Sequence, residues 1–338
     1  MKVTPSVAIV ILNFNGKEYL NRNLQFLFRI SYRNTSLVVI DNASTDDSVA
    51  WLQQQHPAIK LIINEANFGF AKGYNAGLRH IESDYYLLLN TDVEVTESLL
   101  EPMIALLQQD DQAAACQPKI CSLNARDHFE YAGAGGGQMD VLGYPFARGR
   151  LFFSSERDIG QYDDEREVFW ASGACFLIRR TCFWEENGFY EFYFMQHEET
   201  DLCWRLKQKG YKILYTGKSV VYHQGGAHLG YADPKKNFLN FRNNWIMLYR
   251  NVPRCYFWLY IVPFRTGLDV AASFYFLFRN NFATFLSVHK ALFRFWLWWW
   301  PNRQHTGTAT PIRSLAGVYK GWIVIDYFIK NKKALRRL

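Results

Sequence analysis

The sequence predicts an α/β fold in which helices cover both faces of a mostly parallel central sheet, followed by a C-terminal helical region rich in aromatic and basic residues. Short apolar runs alternate with segments of helical pattern, which is typical of βαβ units. The runs are almost entirely apolar, as expected of parallel strands buried on both faces. Aromatic clusters later replace this alternation, so we predict two regions, residues 1–233 and 234–338.

The apolar runs and the helical patterns predict the individual elements of the first region. Strands are expected at 7–12, 36–40, 59–63 and 85–89. Helices are expected at 18–28, 49–55, 69–81 and 96–109, the last with Thr96 as its N-cap. Further along we predict a strand at 168–180, a helix after Glu198, Glu199 and Asp201, and a strand that ends at His223.

A glycine-rich stretch, GAGGGQMDVLGYPFARGR, occupies residues 133–150. Glycine removes the side-chain restriction on the backbone, so the stretch predicts a flexible loop. Its closing Arg148 and Arg150 are candidates for phosphate binding, and a plain surface loop is the alternative.

The predicted strands of the first region end on polar side chains: Asn13, Asp41 with Asn42, Asn64, and Asn90 with Asp92. Each alone is an ordinary turn residue. In open α/β sheets, however, ligands bind outside the carboxyl ends of the strands, so the set predicts a ligand site at one sheet edge. The chain has neither GxGxxG after its first strand nor GxxxxGK[ST], which disfavours Rossmann dehydrogenases and P-loop kinases.

Charge is unevenly distributed along the chain. Residues 234–338 contain 17 lysines and arginines against Asp269 and Asp326, a charge of +15, which leaves −8 for the rest of a chain of net charge +7. A basic tail predicts an anionic ligand or surface near the C-terminus. An anionic membrane face explains it, whereas a nucleic acid would explain none of the acidic strand ends, and we expect no nucleic-acid partner.

The six cysteines form no CxxC pair and fit no zinc spacing, so we expect reduced core thiols in a cytosolic protein. The N-terminal apolar run VAIVIL is too short for a signal peptide and predicts a first buried strand. The protein is therefore expected to act on the cytoplasmic side.

Three aromatic segments mark the C-terminal region: CYFWLYIVPF (255–264), AASFYFLF (271–278) and ALFRFWLWWWP (291–301). Each is predicted to be too short to span a bilayer, with Arg265, Asp269 and Arg279 as interruptions. Tryptophans flanked by basic residues favour an interfacial layer on the inner face of the cell membrane. A helical subdomain packed on the body, or a dimer interface, is the alternative.

Taken together, the motifs resemble those of family 2 glycosyltransferases with the GT-A fold, particularly bacterial rhamnosyltransferase-like members. The resemblance covers about residues 5–230 and rests on these segments: VAIVILNFNG, VVIDNASTDDS, NFGFAKGYNAGL, LLLNTDVEV, ASGACFLIRR, EETDLCWRL and VYHQGG. It implies transfer of a sugar from a nucleotide donor, dTDP-rhamnose or a UDP-sugar, to a saccharide or lipid-linked acceptor in cell-surface polysaccharide synthesis.

The resemblance also implies a divalent cation, Mg²⁺ or Mn²⁺, on the diphosphate of the donor. The tripeptide NTD stands where the family has its DXD motif, so Asp92 is the implied metal ligand, with Asn90 in place of the other carboxylate. His223 matches a position that can complete the metal or diphosphate site. Hard oxygen ligands suit Mg²⁺, and an imidazole is better tolerated by Mn²⁺.

For the nucleotide, Asp41 matches the family residue that pairs with the pyrimidine ring edge. The other implied donor-site residues are Asn13, Asn15, Asn42, Asn67, Gly69, Asn75, Asn90, Thr91 and Gly173.

An inverting transfer needs a base for the acceptor hydroxyl. The family places a carboxylate just before DLCWR, and we favour Glu199 over Glu198, which would instead orient the acceptor. Tyr190 departs from the usual GFDE pattern and is expected to alter acceptor contacts. A non-catalytic nucleotide-sugar-binding or assembly subunit is the alternative.

Overall fold

The computed structural model of the chain describes residues 4–130, 133–225, 233–304 and 310–334. Its strands are β1 (Val7–Asn13), β2 (Thr35–Asp41), β3 (Lys60–Ile63), β4 (Tyr85–Leu89), β5 (Val93–Val95), β6 (Ala113–Ser122), β7 (Gly137–Asp140), β8 (Pro145–Ala147), β9 (Arg150–Leu151), β10 (Ser154–Ser155), β11 (Glu165–Val168), β12 (Cys175–Arg179), β13 (Lys212–His223) and β14 (Val318–Tyr319).

The helices are α1 (Lys17–Leu27), α2 (Ser48–Gln55), α3 (Gly69–Leu78), α4 (Leu100–Gln108), α5 (Arg180–Glu185), α6 (Glu198–Gln208), α7 (Pro234–Asn251), α8 (Arg254–Phe278), α9 (Phe282–Asn302) and α10 (Ile323–Phe328). Helix α8 contains a π-helical stretch, Phe257–Ile261.

The central sheet has the order β11-β13-β6-β12-β4-β1-β2-β3, and β5 also pairs with β13. Strands β1 to β4 pair in parallel, which confirms the predicted βαβ units of the first region. Strand β12 then lies antiparallel to both β4 and β6, and β13 returns parallel to β6. The sheet is therefore parallel in its first half and mixed in the second.

Alternate residues of the central strands enter cores on opposite faces of the sheet. In β1, Val7, Ile9 and Ile11 join the core under α1, α2 and α4, whereas Ala8 and Val10 join the core under α3, α5 and α6. This is the period-two alternation of a strand buried on both sides. Helices on both faces are confirmed.

Helix α4 starts later than predicted. It begins at Leu100, and Thr96 is not its N-cap, because the Thr96 hydroxyl donates instead to the Val220 carbonyl across the β5–β13 pair (2.9 Å).

The prediction of a flexible loop at 133–150 is wrong. Strands β7, β8 and β9 lie there, in a second sheet of order β10-β9-β8-β7-β14. Its glycines allow close packing: a Cβ on Gly137 would lie 2.3 Å from the Trp170 ring. Arg148 is buried in a bidentate pair with Asp164 (2.8 and 2.9 Å), so its guanidinium does not serve a phosphate.

The C-terminal helices share a core with the sheet. Trp245 and Leu248 of α7 and Phe295 of α9 belong to the same cluster of buried residues as Val10 of β1. Strand β14 also pairs with β7, which comes from the first region. The C-terminal region is thus packed onto the body through apolar contacts and a strand pair.

The prediction that each aromatic segment is too short to span a bilayer fails for the first two, which are joined in one helix. Helix α8 has 25 residues and, among the described residues, is the one helix whose length and apolar composition would allow it to cross a membrane. One cysteine also departs from its prediction, because Cys255 is exposed, whereas the other five are buried free thiols.

Candidate functional site

The polar strand ends meet at one edge of the sheet. Asn13 and Asp41 are direct neighbours in the parallel register of β1 and β2. Asn13 Nδ2 donates to Asp41 Oδ2 (2.8 Å), and both side chains are fully buried. Within the described part of the chain, Asn13 Oδ1 accepts no hydrogen bond. A buried acceptor left in this way is unfavourable, and such atoms are found at functional sites.

The loop after β2 is fastened to the loop after β1. Both the backbone N–H and the hydroxyl of Ser44 donate to the Asp41 carboxylate (2.8 and 2.7 Å). Asn15, in a left-handed conformation with φ 52°, accepts from the Thr45 N–H at its side-chain oxygen (2.7 Å). These contacts place Asn15 and Asp41 on adjoining walls of the predicted nucleotide pocket.

An asparagine network holds the next wall. Asn42 Nδ2 donates to the Gly69 carbonyl (2.9 Å) and to Asn67 Oδ1 (3.1 Å), and Asn42 Oδ1 accepts from Asn64 Nδ2 (3.0 Å). Gly69 has φ +73°, and an added Cβ would lie 2.5 Å from Phe194, so glycine is required there.

Asn75 lies further from these loops. Its amide is saturated by the backbone of Phe189, donating to the carbonyl (2.8 Å) and accepting from the N–H (3.0 Å). Asn75 therefore ties α3 to the segment before α6.

The predicted metal ligands come together on β5 and β13. His223 is paired with Val93 across these antiparallel strands, which brings its Nε2 to 3.2 Å from Asp92 Oδ1. The other ring nitrogen, Nδ1, lies 3.1 Å from Glu130 Oε2. All three side chains are buried. Burial opposes the imidazolium, but the hydrogen bonds to Asp92 and Glu130 outweigh it and raise the pKa of His223 to about 10.

Asp92 and His223 are two candidate ligands for a divalent cation, which would bind the His223 ring with loss of the proton that the two carboxylates hold on it. Glu130 orients the ring from behind, as carboxylates commonly do for metal-bound histidines. Among the described residues, no three His, Cys, Asp or Glu side chains form a cage that would hold a metal by themselves. Mg²⁺ sites commonly complete their coordination with phosphates and water.

The other two residues of NTD are held by main-chain contacts. Thr91 is buried, and its carbonyl accepts from Asn23 Nδ2 on α1 (2.7 Å). The N–H of Asn90 donates to the Ala174 carbonyl (3.1 Å). Residue 174 follows Gly173, whose N–H points to Glu199 Oε1 at 3.4 Å, so Asn90 and the acidic pair meet the same turn.

Glu198 and Glu199 begin helix α6 rather than preceding it. Burial, then the neighbouring Glu199 charge, raises the pKa of Glu198 well above its usual range, and burial also raises the pKa of Glu199. Glu198 Oε2 is buried and accepts no hydrogen bond from the described residues. A side chain at residue 173 would crowd this place, because a Cβ on Gly173 would lie 3.1 Å from the Phe70 ring and 3.6 Å from Glu199.

Ser44, Glu130 and Lys236 belong to the site although the sequence patterns did not single them out. Lys236, in the first turn of α7, has its pKa lowered by burial, against the opposing charges of Glu130 and Asp92. Ser44 lies inside the DNAST segment and was within reach of sequence reasoning. Glu130 and Lys236 are distant from every motif, and only the tertiary structure brings Glu130 to His223 and Lys236 near the charges of Glu130 and Asp92.

The fold is of the GT-A class. A mannosyltransferase from Pyrobaculum calidifontis, solved with GDP-Man and Mn²⁺, matches with a TM-score of 0.55 at 13% identity, over 86% of this chain and 75% of its own. GalNAc-T7, solved with UDP, GalNAc and Mn²⁺, matches with a TM-score of 0.57 at 15% identity, over 75% of this chain and 49% of its own.

The chain belongs to glycosyl transferase family 2, whose sequence model matches residues 8–186. It is also similar to the N-acetylglucosaminyl-diphospho-decaprenol L-rhamnosyltransferase of Mycobacterium tuberculosis. The two are 28% identical over 250 residues, which cover 69% of this chain and 80% of the relative. The resemblance inferred from the motifs is confirmed.

Proposed function

We propose that the protein is an inverting glycosyltransferase that transfers a sugar from a nucleotide-diphosphate donor to a saccharide or lipid-linked acceptor in cell-surface polysaccharide synthesis. The similarity to an N-acetylglucosaminyl-diphospho-decaprenol L-rhamnosyltransferase supports a lipid-linked acceptor. We favour dTDP-rhamnose as the donor, with UDP-sugars as the alternative.

The observation that carries this proposal is the pair of buried Glu198 and half-buried Glu199 beside Gly173, whose neighbour Ala174 accepts from the N–H of Asn90 in the NTD segment. A carboxylate with a raised pKa is a better proton acceptor near neutral pH than an ordinary one. Glu199 takes the proton of the acceptor hydroxyl while the acceptor oxygen bonds to the anomeric carbon. The bond from that carbon to the diphosphate breaks, and the nucleoside diphosphate leaves with the electron pair.

Asp92 and His223 would hold the divalent cation, with Glu130 orienting the His223 ring. A cation bound there neutralises charge on the departing diphosphate. Lys236 adds a positive charge to the same edge, close enough to interact with Asp92 and Glu130. The loops at Asn13, Asn15, Asp41 and Asn42 would bind the nucleoside.

We further propose that the protein is peripheral on the inner face of the cell membrane. Helix α8 carries an outward apolar stripe, while Arg265, Asp269 and Ser273 are buried against the body. Asp269 accepts from Trp245 Nε1 (2.8 Å) and the Tyr144 hydroxyl (2.9 Å), and the Arg265 guanidinium lies 3.5 Å from the centroid of the Tyr144 ring. These buried contacts hold α8 along the body. They favour attachment of the protein to the membrane surface over a helix α8 that spans the membrane.

The outward residues of α8, α9 and their neighbours form what we call the aromatic face. Its members are Phe153, Leu259, Phe264, Phe274, Tyr275, Phe278, Phe282, Leu286, Phe293, Trp296, Leu297, Trp300, Phe328 and Ile329. Exposed apolar area on this scale marks a binding surface. Arg279 and Arg303 stack on Tyr275 and Trp300, which places cations beside the rings and suits anionic lipid headgroups.

A donor panel tests the transferase. The purified chain, with Mg²⁺ or Mn²⁺, is expected to be stabilised by dTDP or UDP, by about 2.7 kcal/mol at a hundredfold excess over Kd. It should also transfer or hydrolyse one pyrimidine nucleotide sugar. Asp92→Ala should lower that rate by about 100-fold or more, because metal stabilisation of the leaving charge is worth several kcal/mol.

Asp111→Ala removes an exposed carboxylate and serves as the control. Equal rates for wild type and Asp92→Ala with every donor would support a non-catalytic nucleotide-sugar binder instead. A preference for purine nucleotides would contradict the role of Asp41.

A further inference from the structure

The backbone just before the acidic pair is in an unusual conformation. Phe194 has φ 65° and ψ −60°, and the Met195 N–H donates to the Tyr193 carbonyl (2.8 Å), which makes a positive-φ γ-turn. Gln196 and His197 follow with φ 75° and 72°. Left-handed backbone is uncommon for residues other than glycine and persists only where the surroundings impose it.

Two neighbouring side chains of α7 contact this turn: Arg242 donates to the Tyr193 carbonyl (3.2 Å), and Asn243 reaches further along the turn. Asn243 of α7 is fully buried, and its Nδ2 points at the carbonyls of Tyr193 (3.0 Å), Met195 (2.8 Å) and Gln196 (2.9 Å). Its Oδ1 accepts from Arg242 Nε (2.9 Å). Because a guanidinium only donates, this contact fixes the amide with its nitrogen toward the turn.

The turn also connects both halves of the site. The Phe194 carbonyl accepts from the Phe70 N–H (2.6 Å) at the start of α3, beside Gly69. On its other side the chain enters α6 at Glu198 directly after His197. A shift of the turn would therefore move the two glutamates relative to Gly173.

We propose that Asn243 is a positioning residue for the transfer reaction: it holds carbonyls of residues 193–196, and with them the strained backbone at 194, 196 and 197, and so sets the place of Glu198 and Glu199. This inference rests on the proposed role of that pair. It assigns a function in the reaction to the C-terminal region, through a residue that does not touch the substrates.

A matched pair of variants tests it. Asn243→Ala and Asn244→Ala remove adjacent buried amides from the same helix, but Asn244 Nδ2 donates to the Gly143 carbonyl in the second sheet (3.0 Å). Both should lower Tm. Only Asn243→Ala should lower kcat for transfer, by about tenfold or more, as expected for a misplaced catalytic group. Its affinity for the nucleoside diphosphate should fall by less than kcat does, because Asn42 keeps its contacts with Asn64 and Asn67 in the nucleotide wall.

Hydrogen exchange gives a readout independent of activity. Amides of residues 194–200 should lose protection in Asn243→Ala and keep it in Asn244→Ala. An unchanged kcat in Asn243→Ala, or an equal fall of kcat in both variants, overturns the proposal. If Asn243→Ala does not fold, Asn243→Ser replaces it, because serine keeps one hydrogen-bond donor. Its kcat and the protection of residues 194–200 should lie below the wild-type values. Wild-type values of both quantities would also overturn the proposal.

The two proposals fail in different ways. One outcome is that the wild type transfers no sugar while hydrogen exchange still differs between Asn243→Ala and Asn244→Ala as expected. In that case Asn243 does hold the turn, and the proposed reaction is wrong. If the wild type is active and the two variants are alike in kcat and exchange, Asn243 has no positioning role.

Discussion

Buried Glu198 and half-buried Glu199 provide a proton acceptor at a cost in stability. Their pKa values are raised above 4.5, mainly by burial, so the folded protein holds protons more tightly than the unfolded chain does. The stability that these protons contribute is present at pH values below the unfolded pKa and is lost as pH rises through the folded pKa. At neutral or higher pH the pair therefore lowers the free energy of unfolding.

Glu199→Gln is accordingly expected to raise the free energy of unfolding at pH 8, because the glutamine carries no charge that burial would penalise. The gain should disappear below pH of about 4, where the carboxyl is protonated in both states. The same variant should lower kcat about 100-fold or more through loss of the base. Thermal unfolding over a pH series and initial rates measure both effects.

The control is Glu97→Gln, which makes the same chemical change at an exposed position. It should alter neither quantity. A lower Tm for Glu199→Gln at pH 8, or an undiminished kcat, would contradict this account of the acidic pair. In the wild type, kcat should fall as pH drops through a value above the ordinary glutamate pKa.

At the scale of elements, the start of α3 and the turn before α6 are fitted to each other at Gly69. Gly69→Ala adds a methyl group 2.5 Å from Phe194 at a residue with φ +73°. Gly210 is the matched control, because it has φ +90° but nothing within 4 Å of an added Cβ. Its change to Ala should cost about 1 kcal/mol from backbone strain alone.

Gly69→Ala should cost about 1–3 kcal/mol more than Gly210→Ala, because overpacking adds to the strain. It should also weaken nucleotide binding, since Asn42 Nδ2 donates to the Gly69 carbonyl. Denaturant unfolding and nucleotide titration check both effects. Equal losses of stability in the two variants would show that the contact with Phe194 is unimportant.

At the scale of the whole molecule, the basic C-terminal region presents the aromatic face to the outside. Phe293 and Trp300 lie on the outward stripe of α9 and are 62% and 64% exposed. The double variant Phe293→Glu with Trp300→Glu should fold normally and lose binding to anionic liposomes in flotation, because it places carboxylates among the lipid headgroups.

Ile63→Glu changes a residue of similar exposure, 55%, on the edge strand β3, and should float like the wild type. Binding should weaken as salt is raised. If the wild-type chain does not float with anionic liposomes at modest salt, the membrane proposal is wrong. The aromatic face would then be explained as a dimer interface.

The sequence alone determined the parallel half of the sheet and the residues at its edge. Continuous apolar runs and turn residues are local signals, so β1 to β4 and the polar ends at Asn13, Asp41 and Asp92 followed from them. The family motifs added the acidic pair and His223. The prediction of a flexible loop at 133–150 failed because glycine allows close packing as well as flexibility. Gly137 is an example, since it packs closely against Trp170.

Only the tertiary structure decided the partners of these residues. Glu130 reaches His223 across 93 positions of the chain, and Asn243 reaches the turn before α6 across about 50. Such contacts depend on strand pairing and helix packing, which leave no periodic trace in the sequence. The orientation of α8 was also decided only by the tertiary structure. In the sequence, Arg265 and Asp269 interrupt an apolar pattern. In the structure they are buried against the body, so the apolar side of the helix faces outward.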